Sequence, residues 1–115
     1  MKSKTKQPKT KALNPTSLTP TQLLSRQNQL KIIDVRGWLE YVMGHIPNAE
    51  RFNRNRILKT IDKDEPIAIT CLSGHRSAIT AQWLVNQGYT KVYNLQGGLL
   101  AWQSAGLPVK RGMTR

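Results

Sequence analysis

Ile67-Ala68-Ile69-Thr70-Cys71-Leu72-Ser73-Gly74-His75-Arg76-Ser77 runs from a β-branched stretch into a short polar loop, and the only cysteine of the chain stands where one becomes the other. Pro66 sets off four residues without polar alternation, the pattern of a strand buried on both faces. From Ser77 to Gln87, Ala78, Ile79, Ala81, Trp83, Leu84 and Val85 recur with the spacing of a helix with a broad apolar face. Gly88 suits its left-handed cap. The stretch therefore predicts strand, loop and helix, with Cys71 at the carboxyl end of the strand.

Working outward, Lys31-Ile32-Ile33-Asp34-Val35-Arg36 has the β-branched density of a second buried strand, ended by Gly37. Trp38 to Met43 fits a brief helix that stops at Gly44. Upstream, Thr19-Pro20-Thr21-Gln22 reads as a capping box with proline at the first helical position, opening a helix through about Gln27. Downstream, Val92, Tyr93 and Leu95 suggest a third strand, Gly97-Gly98 a turn, and Leu99 to Ala105 a last helix closed by Gly106. His45-Ile46-Pro47-Asn48 is turn-like because Pro47 disfavours helix before it. Asp62 to Glu65 reads as a surface turn, whereas Arg51 to Ile61 is basic and fits no element clearly. Strands alternating with helices predict a small three-layer α/β domain with a largely parallel sheet.

At 115 residues the chain suits one core, not two. With 38% hydrophobic and 21% charged residues it has the composition of a globular protein. No stretch approaches the ~20 apolar residues of a membrane span, and the N-terminus lacks the apolar segment of a secretory signal. These features lead us to expect a cytoplasmic protein without membrane attachment. A single cysteine excludes an intramolecular disulfide. The formal charge is +12, and Lys2, Lys4, Lys6, Lys9 and Lys11 contribute without an acid among them. We expect a basic, flexible tail over 1–16, a folded domain over 17–108 and a basic C-terminal tail over 109–115.

In open α/β sheets the ligand crevice lies beyond the carboxyl ends of the strands, which is where Cys71 falls. A short loop ahead of a helix can turn backbone N–H groups inward, and Gly74 permits the curvature. The helix start adds partial positive charge. A thiol there favours its thiolate, helped by Arg76 and His75, so Cys71 is expected to be a nucleophile and not a small buried hydrophobe.

Three motifs resemble those of the single-domain rhodaneses, sulfurtransferases of the thiosulfate-using type. They are Ile33-Asp34-Val35-Arg36 with Gly44-His45-Ile46-Pro47-Asn48-Ala49, then Cys71 to Ser77, then Gly97-Gly98 with Trp102. The resemblance runs from about Leu18 to Leu107. It implies a parallel five-stranded sheet flanked by helices and a double displacement through a Cys71 persulfide. The donor would be a small sulfur anion such as thiosulfate, and the acceptor a thiol, cyanide or a protein. It further implies that the backbone of Leu72, Ser73, Gly74, His75 and Arg76 cradles the persulfide, that Arg76 favours the anionic donor, and that no cofactor is needed. Asp34 and Arg36 could support the loop, although a plain structural ion pair accounts for them equally. Two departures stand out: Asn48 replaces the family's usual glycine, and Arg51-Phe52-Asn53-Arg54-Asn55-Arg56 replaces its usual apolar strand and loop.

Cysteine phosphatases and arsenate reductases also use a cysteine-headed loop ending in arginine. They place five residues between the two, whereas Leu72, Ser73, Gly74 and His75 make four here, a smaller ring suited to one terminal sulfur. A metal site from Cys71, His45 and His75 lacks a ligand spacing. His45 is read as structural, and Trp38, Trp83 and Trp102 as packing. A third reading is a persulfide carrier or binding module docking on a protein or RNA. No nucleic-acid motif accompanies the charge, and aromatic residues do not interleave with the tail, so nucleic acid is not the partner we expect.

Overall fold

A computed structural model describes residues 14–115 of the chain. The five lysines between Lys2 and Lys11 lie outside the described residues. The strands are β1 (Thr16–Leu18), β2 (Lys31–Asp34), β3 (Glu50–Arg51), β4 (Ile67–Thr70) and β5 (Val92–Leu95). The helices are α1 (Pro20–Arg26), α2 (Trp38–Met43), α3 (Arg54–Thr60), α4 (His75–Asn86) and α5 (Gly98–Ser104). All strands pair in parallel in the order β1-β5-β4-β2-β3. Central β4 is buried along its whole length, as its unbroken apolar run requires.

The two-residue period of the strands divides the interior into two cores. Ile32, Ala68 and Leu95 face one side, where Leu23 of α1, Tyr41 of α2 and Leu99 and Trp102 of α5 pack on them. Ile33, Ile67, Ile69 and Val92 face the other, against Ile57 of α3 and Ala81, Leu84 and Val85 of α4. Each such Ile, Leu or Val contributes about 1.5–3 kcal/mol when fully buried. Trp102 is wholly buried, and its indole Nε1 donates to Pro108 O at 2.7 Å. Trp38, in contrast, is 55% exposed at the start of α2, so it is not a core residue.

The capping box at Thr19 forms in both directions: Gln22 N donates to Thr19 Oγ1 at 3.2 Å and Thr19 N donates to Gln22 Oε1 at 2.9 Å. Asn48 takes φ 73°, the only non-glycine residue at positive φ among the described residues, so asparagine performs the turn of the usual glycine.

The basic stretch left without an element contains α3, with Asn53 Oδ1 accepting from Arg56 N at 3.0 Å at its start. Residues 109–115 run along the domain. Lys110 and His45 exchange backbone bonds of 2.8 and 2.9 Å, Gly112 N donates to Val42 O at 2.8 Å, and Arg115 pairs with Glu50 at 3.0 Å. Among the described residues no helix is long and apolar enough to cross a membrane.

Candidate active site

The loop that begins at Cys71 is anchored from below by α5. Leu99 N donates to Cys71 O at 2.8 Å and Leu100 N to Leu72 O at 3.0 Å. This engages the loop's first carbonyls on the side of α5. The approach requires Gly98, where a Cβ would stand 2.6 Å from Cys71 O and 2.5 Å from Leu72 O. Gly74 turns the chain with φ 98° and starts α4, which begins at His75, two residues ahead of the sequence-based expectation.

Buried Cys71 is thus surrounded by donors. Gly74 N–H reaches its Sγ at 3.1 Å, and Ser77 Oγ stands 3.3 Å away. Burial pushes the thiol's pKa up, but hydrogen bonds from the Ser77 hydroxyl and from the N–H groups of Ser77, Gly74 and Ser73 outweigh it. The net shift is below the ordinary thiol value. A thiolate with several inward donors is a nucleophile ready for attack and a good leaving group.

The predicted loop residues divide by role. Ser73 and Gly74 supply backbone donors to the sulfur, while Leu72 is 37% exposed at the rim. His75 Nδ1 lies 3.0 Å from Ser73 Oγ, closing the outer side of the loop. Arg76 turns away to Glu40, with Nη1 to Oε1 at 3.1 Å and Nη2 to Oε2 at 3.2 Å. That hydrogen-bonded pair holds the Glu40 carboxyl below its usual range and raises Arg76 above its own.

Asp34 and Arg36 are buried and bound to each other, with Nη2 to Oδ2 at 2.7 Å, and Arg36 Nη2 also donates to Gly44 O at 2.6 Å. They brace the end of β2 against the turn and make no hydrogen bond to residues 71–77. His45 stacks on Tyr41 at 3.7 Å, and its ring nitrogens lie 2.7 Å from Tyr41 O and 2.8 Å from Thr114 O. Among the described residues no group of three or more His, Cys, Asp or Glu side chains could hold a metal ion.

Sequence reasoning missed three contributors: Ser77 as a side-chain donor, Glu40 as the partner of Arg76, and Asn94. The last lies on β5 beside β4, with Oδ1 accepting from Ser77 Oγ at 2.6 Å and Nδ2 donating to Gly74 O at 3.2 Å. The available signal was a polar residue inside Val92-Tyr93-Asn94-Leu95, an otherwise largely apolar strand of a doubly covered sheet.

Residues 19–105 match the model of the rhodanese-like domain. The chain is 32% identical over 92 residues to thiosulfate sulfurtransferase GlpE of Vibrio cholerae, covering 77% of this chain and 87% of that protein. It is 36% identical over 92 residues to a sulfurtransferase of Allochromatium vinosum, covering 77% and 86%. Among solved structures, a rhodanese-related protein from Thermoplasma volcanium is similar at a TM-score of 0.73 and 26% identity, with 83% of this chain and 97% of that one covered.

Proposed function

The chain belongs to the rhodanese-like domain family, in which its curated relatives are sulfurtransferases, and from that premise we propose that it carries sulfane sulfur from thiosulfate to a thiophilic acceptor as a Cys71 persulfide. The observation that carries this reading is the ring of donors around one buried sulfur.

In the first half-reaction the Cys71 thiolate attacks the outer sulfur of thiosulfate. A bond forms between Sγ and that sulfur, the S–S bond of thiosulfate breaks, and sulfite leaves with the electron pair. In the second, a thiol, cyanide or a protein acceptor attacks the outer persulfide sulfur, and Cys71 departs as thiolate. The donors at Sγ serve both halves, since the thiolate opens the first and is the leaving group of the second.

Arg76 is the entry point for the dianionic donor. Its pair with Glu40 leaves the two side chains 50% and 42% exposed, so the contact holds it only weakly and can be exchanged for a bound anion. The ring of four intervening residues fits a terminal sulfur better than a tetrahedral phosphate, so aryl phosphates should turn over poorly. A thiol kept free for this chemistry goes with a reducing compartment such as the cytoplasm.

Thiocyanate formation from thiosulfate and cyanide tests the reading. Parallel double-reciprocal lines are expected from the covalent intermediate; intersecting lines, or no turnover, would count against it.

A further inference from the structure

The hydroxyl of Ser77 has one proton and two claimants. Its Oγ lies 3.3 Å from Cys71 Sγ and 2.6 Å from Asn94 Oδ1. The orientation of the Asn94 amide is fixed independently: Nδ2 faces Gly74 O at 3.2 Å, and a carbonyl can only accept. Oδ1 therefore faces Ser77, and it too can only accept. While Cys71 is an uncharged thiol, the Ser77 proton lies toward Asn94 at 2.6 Å, because otherwise two oxygen lone pairs would meet in a buried site. Ser77 then offers the sulfur a lone pair, which suits an S–H and repels an S⁻. For the thiolate the proton must swing to Sγ, and the contact with Asn94 turns unfavourable.

We propose that Asn94 is a positioning residue that, through Ser77, sets the balance between the charged and uncharged states of Cys71 by competing for the single hydroxyl proton beside the sulfur. This deepens the persulfide reading and rests on it for its place in the reaction. Asn94 favours every state in which Sγ is neutral, the persulfide among them, where the inner sulfur is a poor acceptor and Ser77 returns its proton to Oδ1. It opposes the thiolate that begins the first half-reaction and leaves in the second. Asn94 thus acts as a counterweight to the N–H donors, keeping the thiolate from being so stable that it attacks sluggishly.

The test is the pH dependence of Cys71 alkylation by iodoacetamide, which requires no sulfur transfer. Wild type, Asn94→Leu, Ser77→Ala and the double variant are compared, each checked for native fold by circular dichroism. Asn94→Leu commits the Ser77 proton to sulfur, so the midpoint should move to lower pH. Alkylation below the midpoint should be about threefold faster, the factor carried by one hydrogen bond of modest net strength. Ser77→Ala should move the midpoint up, and the double variant should match Ser77→Ala alone.

An unchanged or raised midpoint in Asn94→Leu overturns the proposal, as does an equal downward shift when Ser77 is absent. Asn94→Asp, of nearly the same shape, keeps the proposal falsifiable if the leucine variant does not fold. Its carboxylate should hold the proton harder and raise the midpoint, with a smaller rise in the Ser77→Ala background; an equal rise there overturns the relay. If the alkylation results hold while thiosulfate fails to load Cys71, the sulfurtransferase reading falls and the Asn94 assignment stands.

Discussion

Two arginine–carboxylate pairs of the same chemistry occupy opposite environments. In Asp34–Arg36 the side chains are 2% and 4% exposed and Arg36 also donates to Gly44 O, whereas in Glu40–Arg76 they are 42% and 50% exposed at the mouth of the loop. Burial decides what each can do. The first pair cannot let go without leaving a charge in the interior, so it fixes the end of β2 against the turn that follows α2. The second loses little when it opens, as the proposed binding of an anionic donor by Arg76 requires. The fold thus keeps a buried ion pair in the scaffold and an exposed one beside the Cys71 loop.

The largest effect should come from breaking the rigid pair. Arg36→Ala leaves Asp34 buried without its partner and should lower stability by about 3–5 kcal/mol in urea unfolding. If the loss is below ~1 kcal/mol, the distinction between the pairs fails. Gly98→Ala probes the platform under the loop: its Cβ would meet backbone oxygens at 2.5 and 2.6 Å at φ 60°. A loss of about 2 kcal/mol or more is expected, with slower alkylation of Cys71.

At the exchangeable pair, Arg76→Ala should change stability by less than ~0.5 kcal/mol. It should raise the half-saturating thiosulfate concentration about tenfold, the loss of one charged contact to an anion, with alkylation little altered. Equal losses in both assays would make Arg76 an activator of the thiol instead. The smallest effect belongs to Glu40→Gln, which frees Arg76 and should lower half-saturation by about twofold. The pH dependence has the same origin. Arg76 depresses the Glu40 carboxyl, so the pair's small contribution to stability is complete above the ordinary carboxylate range and is lost as pH falls through the lowered value. Thermal melting of wild type and Glu40→Gln across that acid range should converge.

The contrast also explains what could be read from the chain. Strands β2 and β4 announce themselves because β-branched runs buried on both faces leave little else for the sequence to be, β5 shows through Val92, Tyr93 and Leu95 ahead of the Gly97-Gly98 turn, and the capping box and glycine caps mark helix ends. Strand β1 has three residues of which only Leu18 is buried, and β3 has two, so neither generates a period. Helix α3 buries Ile57 alone among arginines and a lysine, which hides its face.

At the site, Cys71 and its backbone donors are local and therefore legible. Glu40 lies 36 positions from Arg76, and Asn94 lies 17 from Ser77, so their contacts exist only once the parallel sheet aligns the strand ends. The loop alone leads to the expectation that Arg76 favours the thiolate and an anionic donor, whereas in the fold its side chain pairs with Glu40. The carboxylate that turns it aside comes from the helix after a neighbouring strand.

The central claim is that Cys71 carries the transferred sulfur. Intact mass spectrometry after incubation with thiosulfate tests it most directly. The account predicts a protein heavier by one sulfur atom, restored to its original mass by cyanide, with no gain in Cys71→Ser. An unchanged mass in the native protein, or the same gain in Cys71→Ser, would contradict it.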